Sequence, residues 1–381
     1  MGFNAALAII NGHAAPMSQF QVVAAEAAIF AWTIFVIVRR FPEAAPNIRL
    51  ATPYLAGFIL LFVWVTLTNG MSSPKPLRDF LVVLLFFMLG ALCTWRSLMS
   101  AFRTLTLMII AVSCVEGWFP DLYVNIFQPA SYYVNTRDAI QNAYDQSGLF
   151  QNAFSYSGRF SFALFDDRRL SSIFLEQVSL ANYAMVLAIF AITFWPRLSR
   201  FDKSLYLAAI AFLIAGNSSR TGTALCLAML LGYRVFPALP RVIVALTMPL
   251  VLLTAFGVAA YFGDFASTGD DLEGRIGLSI SQLAALDFRQ IFAGSPDRVG
   301  ELADNGYGYV IATQSVLGLI LFWLFQIDAL PRRKDYEMRF AVGAALYVAC
   351  NLLTSEAIFS MKVGSALWLL AGFIHSESAR A

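Results

Sequence analysis

Histidine is almost absent from this 381-residue chain, in which only His13 and His375 occur, one near each end. Serine hydrolases, zinc proteases and haem proteins need a histidine where the chemistry takes place, so these classes lose a required part. The sequence also lacks a Gly-rich loop of the Walker type, which excludes ATP-driven transport by this chain itself. We therefore expect neither a metal ion nor a cofactor.

Cysteine and charge are scarce as well. The four cysteines lie in or at the ends of apolar runs, so neither a disulfide framework nor a zinc-ligand spacing is indicated. Charged residues make up only 13% of the chain and the formal net charge is +2, which gives no reason to expect a nucleic-acid partner. No basic residue precedes the first apolar stretch, so we expect no cleavable signal peptide.

Apolar side chains dominate instead, at 59% of the residues. A membrane-spanning helix takes about 20 residues, and the chain has eleven apolar runs near that length. The sequence therefore predicts an all-α polytopic integral membrane protein with 1–381 as a single transmembrane domain. The eleven predicted spans are 18–38, 50–69, 79–95, 98–116, 174–195, 204–217, 221–236, 242–263, 307–327, 340–356 and 360–375. The runs 204–217 and 221–236 are short and are predicted to form either a tight hairpin or one broken helix.

The orientation follows from the short loops. Fifteen basic and only six acidic residues fall on one side, which is therefore predicted to be cytoplasmic and to carry the C-terminus. The N-terminus and two long loops, at 117–173 and 264–306, fall on the other side. The working surface of the protein is thus predicted to face away from the cytoplasm.

Arginine supplies 22 of the 26 basic residues, and nine arginines lie on the outer side, where basic residues are disfavoured. A guanidinium group offers a planar fork of donors that matches phosphate oxygens, so a lipid diphosphate is the natural partner for such residues. The alternative is that these arginines pair with outer acids. We expect this simpler role for Arg78, Arg137 and Arg298.

Arg220 follows Asn217-Ser218-Ser219 at the predicted outer start of a helix, where free backbone N–H groups favour an anion. We assign it to phosphate binding, with snorkelling to lipid headgroups as the alternative. Arg168 and Arg169 end the first loop and precede Glu176, a carboxylate just inside an apolar run. Glu176 either deprotonates or orients an acceptor hydroxyl or forms an ion pair that pins the loop.

In the second loop, residues 273 to 294 predict one amphipathic helix on which Arg275, Gln282 and Arg289 share a polar stripe. Both arginines are candidate ligands of a headgroup phosphate, or else contact ordinary lipid. The first loop is rich in aromatic residues, which stack on sugar rings or form a small loop core. Tyr132, Tyr133 and Tyr156 are the candidate sugar-binding residues.

Taken in order, these segments resemble the Wzy-type bacterial polysaccharide polymerases and the related O-antigen ligases. The resemblance covers about residues 50 to 330 and rests on short motifs. They are Arg169-Leu-Ser-Ser-Ile-Phe-Leu-Glu-Gln-Val-Ser-Leu-Ala-Asn-Tyr, Ser219-Arg220-Thr221-Gly222, the loop from Arg275 to Gly294, and the helix start Gly306-Tyr-Gly-Tyr. Many relatives, the ligases especially, carry a histidine at the end of the second loop, where this chain has Asp304-Asn305.

The resemblance implies a GT-C-like glycosyltransferase in the bacterial inner membrane that polymerises undecaprenyl-diphosphate-linked oligosaccharide units on the periplasmic face. Membrane lipid, a flippase and chain-length or export proteins are the implied partners. Arg169, Arg220 and Arg275 would bind the diphosphate with help from Arg168 and Arg289, and Glu176, Arg220 and Arg275 form the candidate catalytic set. The open alternatives are an O-antigen ligase, a flippase or exporter of lipid-linked sugars, and a non-catalytic member of an export complex.

Overall fold

The computed structural model describes all residues except 72, 138–146, 150–152, 155–159, 263–271, 303 and 381. This described part is almost entirely helical, with one short strand, β1 (Leu164–Asp167). The helices are α1 (Phe3–His13), α2 (Gln19–Arg39), α3 (Phe41–Asn69), α4 (Lys75–Gly90), α5 (Trp95–Trp118), α6 (Pro120–Phe127), α7 (Pro129–Arg137), α8 (Gln177–Phe194), α9 (Arg200–Asn217), α10 (Arg220–Val235), α11 (Ile243–Phe262), α12 (Leu272–Ala284), α13 (Phe288–Ala293), α14 (Gly306–Ala329), α15 (Asp335–Leu352) and α16 (Gly364–Arg380).

Each of the eleven apolar runs overlaps a helix. Within the described residues, seven helices are long and apolar enough to cross a membrane, namely α2, α3, α5, α11 and α14, and α8 and α10 when each is counted with the 3₁₀ turn that continues it, to Arg197 and Ala238. The protein is thus a helical membrane protein. Eleven crossings stay a prediction, because the other four runs do not reach the same length and composition.

The four remaining helices, α4, α9, α15 and α16, fall short of a membrane span for different reasons. α4 has 16 residues and α16 has 17, both short of the roughly 20 that span the hydrocarbon core. α9 and α15 have 18 residues each, but their first turns are charged. Arg200, Asp202 and Lys203 begin α9, and Asp335, Glu337 and Arg339 begin α15. The apolar part of each is therefore shorter than the helix.

The chain divides into two compact units, the first formed by Met1–Val36 and Cys93–Leu230. α8 is the core of this unit, because it is apolar on every side and nearly all of its residues are buried. The Phe190 ring of α8 stacks on Phe102 of α5 at 4.2 Å between centroids and meets Tyr206 of α9 edge-on at 5.5 Å. α5 and α9 thus pack on α8 through aromatic contacts.

The second unit comprises Ile37–Leu92 and Leu231–Ala381. Its core is the contact between α4 and α16, where the backbones come close. A methyl group on Gly372 would lie 1.8 Å from the carbonyl oxygen of Phe87. Asn47 of α3 bridges the two helices, since its Nδ2 donates to the carbonyl oxygens of Phe87 and Gly372 at 2.8 and 2.9 Å.

Two interruptions in the backbone bear on the predicted spans. α9 and α10 are separate helices, because Ser218 adopts a left-handed conformation with φ of 52° between them. The two predicted runs 204–217 and 221–236 are thus two separate helices, as both the hairpin and the broken-helix alternatives require. In the second unit α14 is broken at Ser315, where φ is 62° and ψ is 176°.

The close approach of α4 and α16 is testable with two glycines of the second unit. We expect Gly372→Ala to destabilise the protein by about 2 kcal/mol, because the added methyl meets backbone that cannot move aside. Gly257→Ala is the matched control, since a methyl there has open space within 4 Å and an alanine favours the helix. The midpoint of thermal unfolding in detergent measures both. Equal midpoints for the two variants would contradict the packing.

Candidate functional site

A buried carboxylate, that of Glu116 near the end of α5, holds the end of the first long loop. Both oxygens accept the backbone N–H of Ser171 at 2.9 Å, and one also accepts the N–H of Ser172 at 2.6 Å. The Ser171 hydroxyl donates to the same carboxylate at 2.7 Å. These N–H groups begin a 3₁₀ turn at Ser172–Phe174, so Glu116 satisfies donors that would otherwise lack partners.

The turn that Glu116 caps has an unfavourable backbone. Ser172 and Leu175 both adopt left-handed conformations, with φ of 53° and 61°. Such angles cost energy in residues other than glycine and persist only where surrounding contacts impose them. The contacts here are the bonds to Glu116 and a 2.8 Å hydrogen bond from the Tyr123 hydroxyl to the carbonyl oxygen of Ser172.

Arg169 joins this loop end to the last turn of α9. Its Nε donates to the carbonyl oxygen of Asn217 at 2.8 Å, and the Leu170 N–H donates to the carbonyl oxygen of Gly216 at 2.9 Å. The Asn217 amide group returns two bonds, to the carbonyl oxygens of Leu170 at 2.8 Å and Gln177 at 2.7 Å. The guanidinium group of Arg169 is therefore buried against the α9–α10 turn.

Arg220 lies on the same turn, as the first residue of α10. Its half-buried guanidinium carbon is 6.0 Å from the centre of the Phe160 ring. The Ser219 hydroxyl caps α10 by accepting the Gly222 N–H at 3.1 Å, and the Ser218 hydroxyl accepts the Phe162 N–H at 3.2 Å. Two of the predicted phosphate-binding arginines, far apart in sequence, thus lie at the same turn, Arg169 against the end of α9 and Arg220 at the start of α10.

Arg168 takes a different direction. One of its terminal nitrogens donates to the carbonyl oxygen of Gly117 at 3.2 Å, next to Glu116 in α5. Its backbone pairs with Phe154 in an isolated bridge. The guanidinium of Arg168 is thus fixed to the end of α5, whereas that of Arg169 contacts the end of α9.

Glu176 is the residue before α8 and forms an ion pair with Arg137 at the end of α7. It also accepts a hydrogen bond from the Ser179 hydroxyl at 3.0 Å. Burial lowers the pKa of Arg137, but Glu176, Tyr133 and Tyr132 together raise it by more, so Arg137 stays charged. The ion pair predicted as the alternative to a catalytic Glu176 is therefore present, and it also confirms the pairing predicted for Arg137.

The ion pair predicts a measurable coupling. Glu176→Gln and Arg137→Gln should each lower the free energy of unfolding by roughly 1 kcal/mol, since the pair is partly exposed. The double variant should cost little more than either single one, because each substitution already breaks the same contact. Thermal unfolding of the three variants in detergent measures the coupling, and strictly additive losses would contradict it.

The predicted sugar-binding tyrosines have different surroundings from those expected. Tyr132 and Tyr133 are buried, and their hydroxyls donate to Asn4 Oδ1 at 2.8 Å and to the carbonyl oxygen of Phe174 at 3.4 Å. Burial raises the pKa of Tyr132 to about 12. Both rings form part of a loop core, the alternative role predicted for these aromatics, and a sugar could reach them only if neighbouring side chains moved. Tyr156 lies outside the described residues.

The single amphipathic helix predicted for 273 to 294 is wrong. Two helices occupy the region, because Asp287 starts a new one by accepting the Gln290 N–H at 2.7 Å. Arg275 is half-buried on α12 and Arg289 is exposed on α13, so the two do not share a stripe on one helix. Both belong to the second unit, whereas Arg169 and Arg220 belong to the first.

The second unit also contains an ion-pair network that sequence reasoning missed. Asp79, buried in α4, accepts bonds from Arg78 at 2.6 Å and from the Tyr309 hydroxyl at 2.6 Å. Lys75 Nζ lies 2.7 Å from a carboxylate oxygen of Glu356 and 3.5 Å from Asp79. In the sequence, Asp79 could have indicated this network, because it is a carboxylate at the start of an apolar run. The same feature drew attention to Glu176.

The ion pairs expected for Arg78 and Arg298, as for Arg137, are confirmed. Arg78 pairs with Asp79, and Arg298 pairs with Glu301 at 2.9 Å. These contacts satisfy the charges locally, as ordinary ion pairs do. In the part of the chain that the structure describes, no three His, Cys, Asp or Glu side chains group as metal ligands.

The chain matches no protein-family model and has no match among curated proteins or solved structures. Membership of the polymerase and ligase family therefore stays a prediction from the motifs.

Proposed function

We propose that this protein is a membrane glycosyltransferase that transfers a growing glycan from a lipid diphosphate to a sugar hydroxyl on a second lipid-linked unit. On this proposal the donor is an undecaprenyl-diphosphate-linked oligosaccharide, and the reaction takes place on the periplasmic face of the bacterial inner membrane. The eleven crossings, the GT-C-like architecture and the cytoplasmic C-terminus are parts of the same proposal.

The observation that carries the proposal is the meeting of Arg169 and Arg220 at the α9–α10 turn. Both residues belong to the motifs on which the family resemblance rests. Guanidinium groups beside a helix start combine fixed positive charge with the positive end of the helix dipole, an arrangement that favours phosphate. The buried contacts of Arg169 fix one of these groups before a ligand arrives.

The proposed reaction needs positive charge next to the leaving group, which gains negative charge as it departs. The acceptor hydroxyl oxygen forms a bond to the anomeric carbon of the donor glycan, while the bond from that carbon to the diphosphate oxygen breaks. The electron pair leaves with the lipid diphosphate, and the hydroxyl proton passes to a base. Positive groups held in place around the diphosphate stabilise the charge that develops there. A diphosphate is already a good leaving group, so the step needs no metal in principle.

Glu176 remains the proposed group for orienting or deprotonating the acceptor hydroxyl. Its side chain is 18% exposed and its charge is shared with Arg137. A carboxylate in such a pair can accept a proton only while the acceptor displaces part of the contact. Arg275, with Arg168 and Arg289 in supporting roles, stays a proposed ligand of the diphosphate because it belongs to the motifs that carry the family resemblance.

Arg220 gives the most direct test, because it begins a helix and Arg200 begins another in the same unit. We expect Arg220→Gln to abolish long polymer and to leave single lipid-linked repeats on the periplasmic side, since the leaving group loses its positive partner. Arg200→Gln should keep normal chain length, because Arg200 is exposed at the start that is predicted to be cytoplasmic. Glycan size by gel, with protein level and membrane insertion checked, measures the difference.

Three results would count against the polymerase. Normal polymer in Arg220→Gln would remove the arginine from the mechanism. Repeats trapped on the cytoplasmic face would indicate a flippase. Intact polymer that fails to reach its final acceptor would indicate a ligase, which uses the same donor.

A further inference from the structure

The second unit contains a cavity of about 540 Å³ at the end where α14 and α16 finish. It is lined by Arg241 before α11, by Asp328 in α14, by Arg332 and Arg333 after that helix, and by His375 of α16. Three guanidinium groups and one carboxylate give the lining a clear excess of positive charge. On the predicted orientation this end is cytoplasmic.

The positive charge in the lining is only partly neutralised by the protein. In the described part of the chain, none of the three lining arginines forms an ion pair. The one lining carboxylate, Asp328, accepts a hydrogen bond from the Tyr54 hydroxyl instead. Three guanidinium groups that share a cavity with a single carboxylate repel one another, so the arrangement favours an anion from outside the chain.

A second observation comes from His375. This residue lines the cavity, and its Nδ1 is buried without a hydrogen-bond partner in the structure. His375 thus adds a polar ring to the cavity lining beside the three arginines.

Two simpler roles are open to these arginines. Arg332 donates to the carbonyl oxygen of Ile327 at 3.2 Å and so caps the end of α14. Basic side chains on the cytoplasmic side also commonly extend to the lipid surface. Neither role explains why Arg241 and Arg333, which come from different parts of the chain, converge with Arg332 on one open cavity.

We propose that this cavity binds a phosphate group. Its volume falls within the range of ligand sites, about 300–1,000 Å³, and is larger than a bare phosphate needs. The ligand is therefore a phosphate ester, either the headgroup of an anionic lipid or a soluble molecule. The site is separate from the proposed transferase chemistry and does not depend on it.

The test uses purified full-length protein and two exposed arginines whose side chains make no hydrogen bond in the structure. Pyrophosphate should raise the midpoint of thermal unfolding in detergent. The double variant Arg241→Gln/Arg333→Gln should need about tenfold more pyrophosphate, or more, for the same rise. Arg49→Gln with Arg234→Gln is the matched control, since both are exposed, unpaired and outside the cavity lining. The control pair should respond like the unmodified protein.

A lipid arm separates the two sources of phosphate. In phosphatidylcholine nanodiscs, added phosphatidylglycerol should raise the midpoint and remove the pyrophosphate response if a lipid headgroup occupies the cavity. A pyrophosphate response that persists with phosphatidylglycerol present indicates a soluble ligand. The proposal is overturned if neither probe stabilises the protein, if the cavity pair responds normally, or if both pairs lose the response equally.

Discussion

The arrangement of the first unit depends on one buried carboxylate. Glu116 sits near the end of an apolar helix and accepts the N–H groups of Ser171 and Ser172 together with the Ser171 hydroxyl. Burying a charged group costs several kcal/mol unless hydrogen bonds compensate, and this carboxylate accepts from three donors. The end of the first loop is therefore held to α5. Loss of these contacts would leave a buried charge without hydrogen bonds in an apolar interior.

The effect of this contact extends in both directions along the chain. Toward the N-terminus it fixes Arg169 and Leu170, whose bonds to Gly216 and Asn217 reach the α9–α10 turn. Toward the C-terminus it supports the strained turn that leads into α8 through Glu176. The predicted phosphate-binding and acceptor-positioning residues are thus placed on either side of one anchor. A site for a large lipid-linked substrate benefits from such rigidity, because less order has to be imposed when the substrate binds.

Much of the fold could be predicted because apolar runs of this length have few alternatives to helices in a membrane. The site could be predicted only in part. Hydropathy placed Arg220 at a helix start and drew attention to Glu176, but it could not pair Glu176 with Arg137, because that contact joins segments with no shared pattern. The break at Asp287 was missed because a long amphipathic periodicity outweighed one capping residue. Glu116 was missed because a single acid ending a span looks like an interfacial residue.

Backbone hydrogen exchange at Ser171 and Ser172 tests the central claim most directly. In the unmodified protein both amides should be strongly protected. In Glu116→Gln their exchange, and that of Arg169 and Leu170, should accelerate by about tenfold or more, while amides in the middle of α8 keep their protection. Unchanged protection of the loop end in Glu116→Gln would contradict the account, because the carboxylate would then not be what holds Arg169 against the α9–α10 turn.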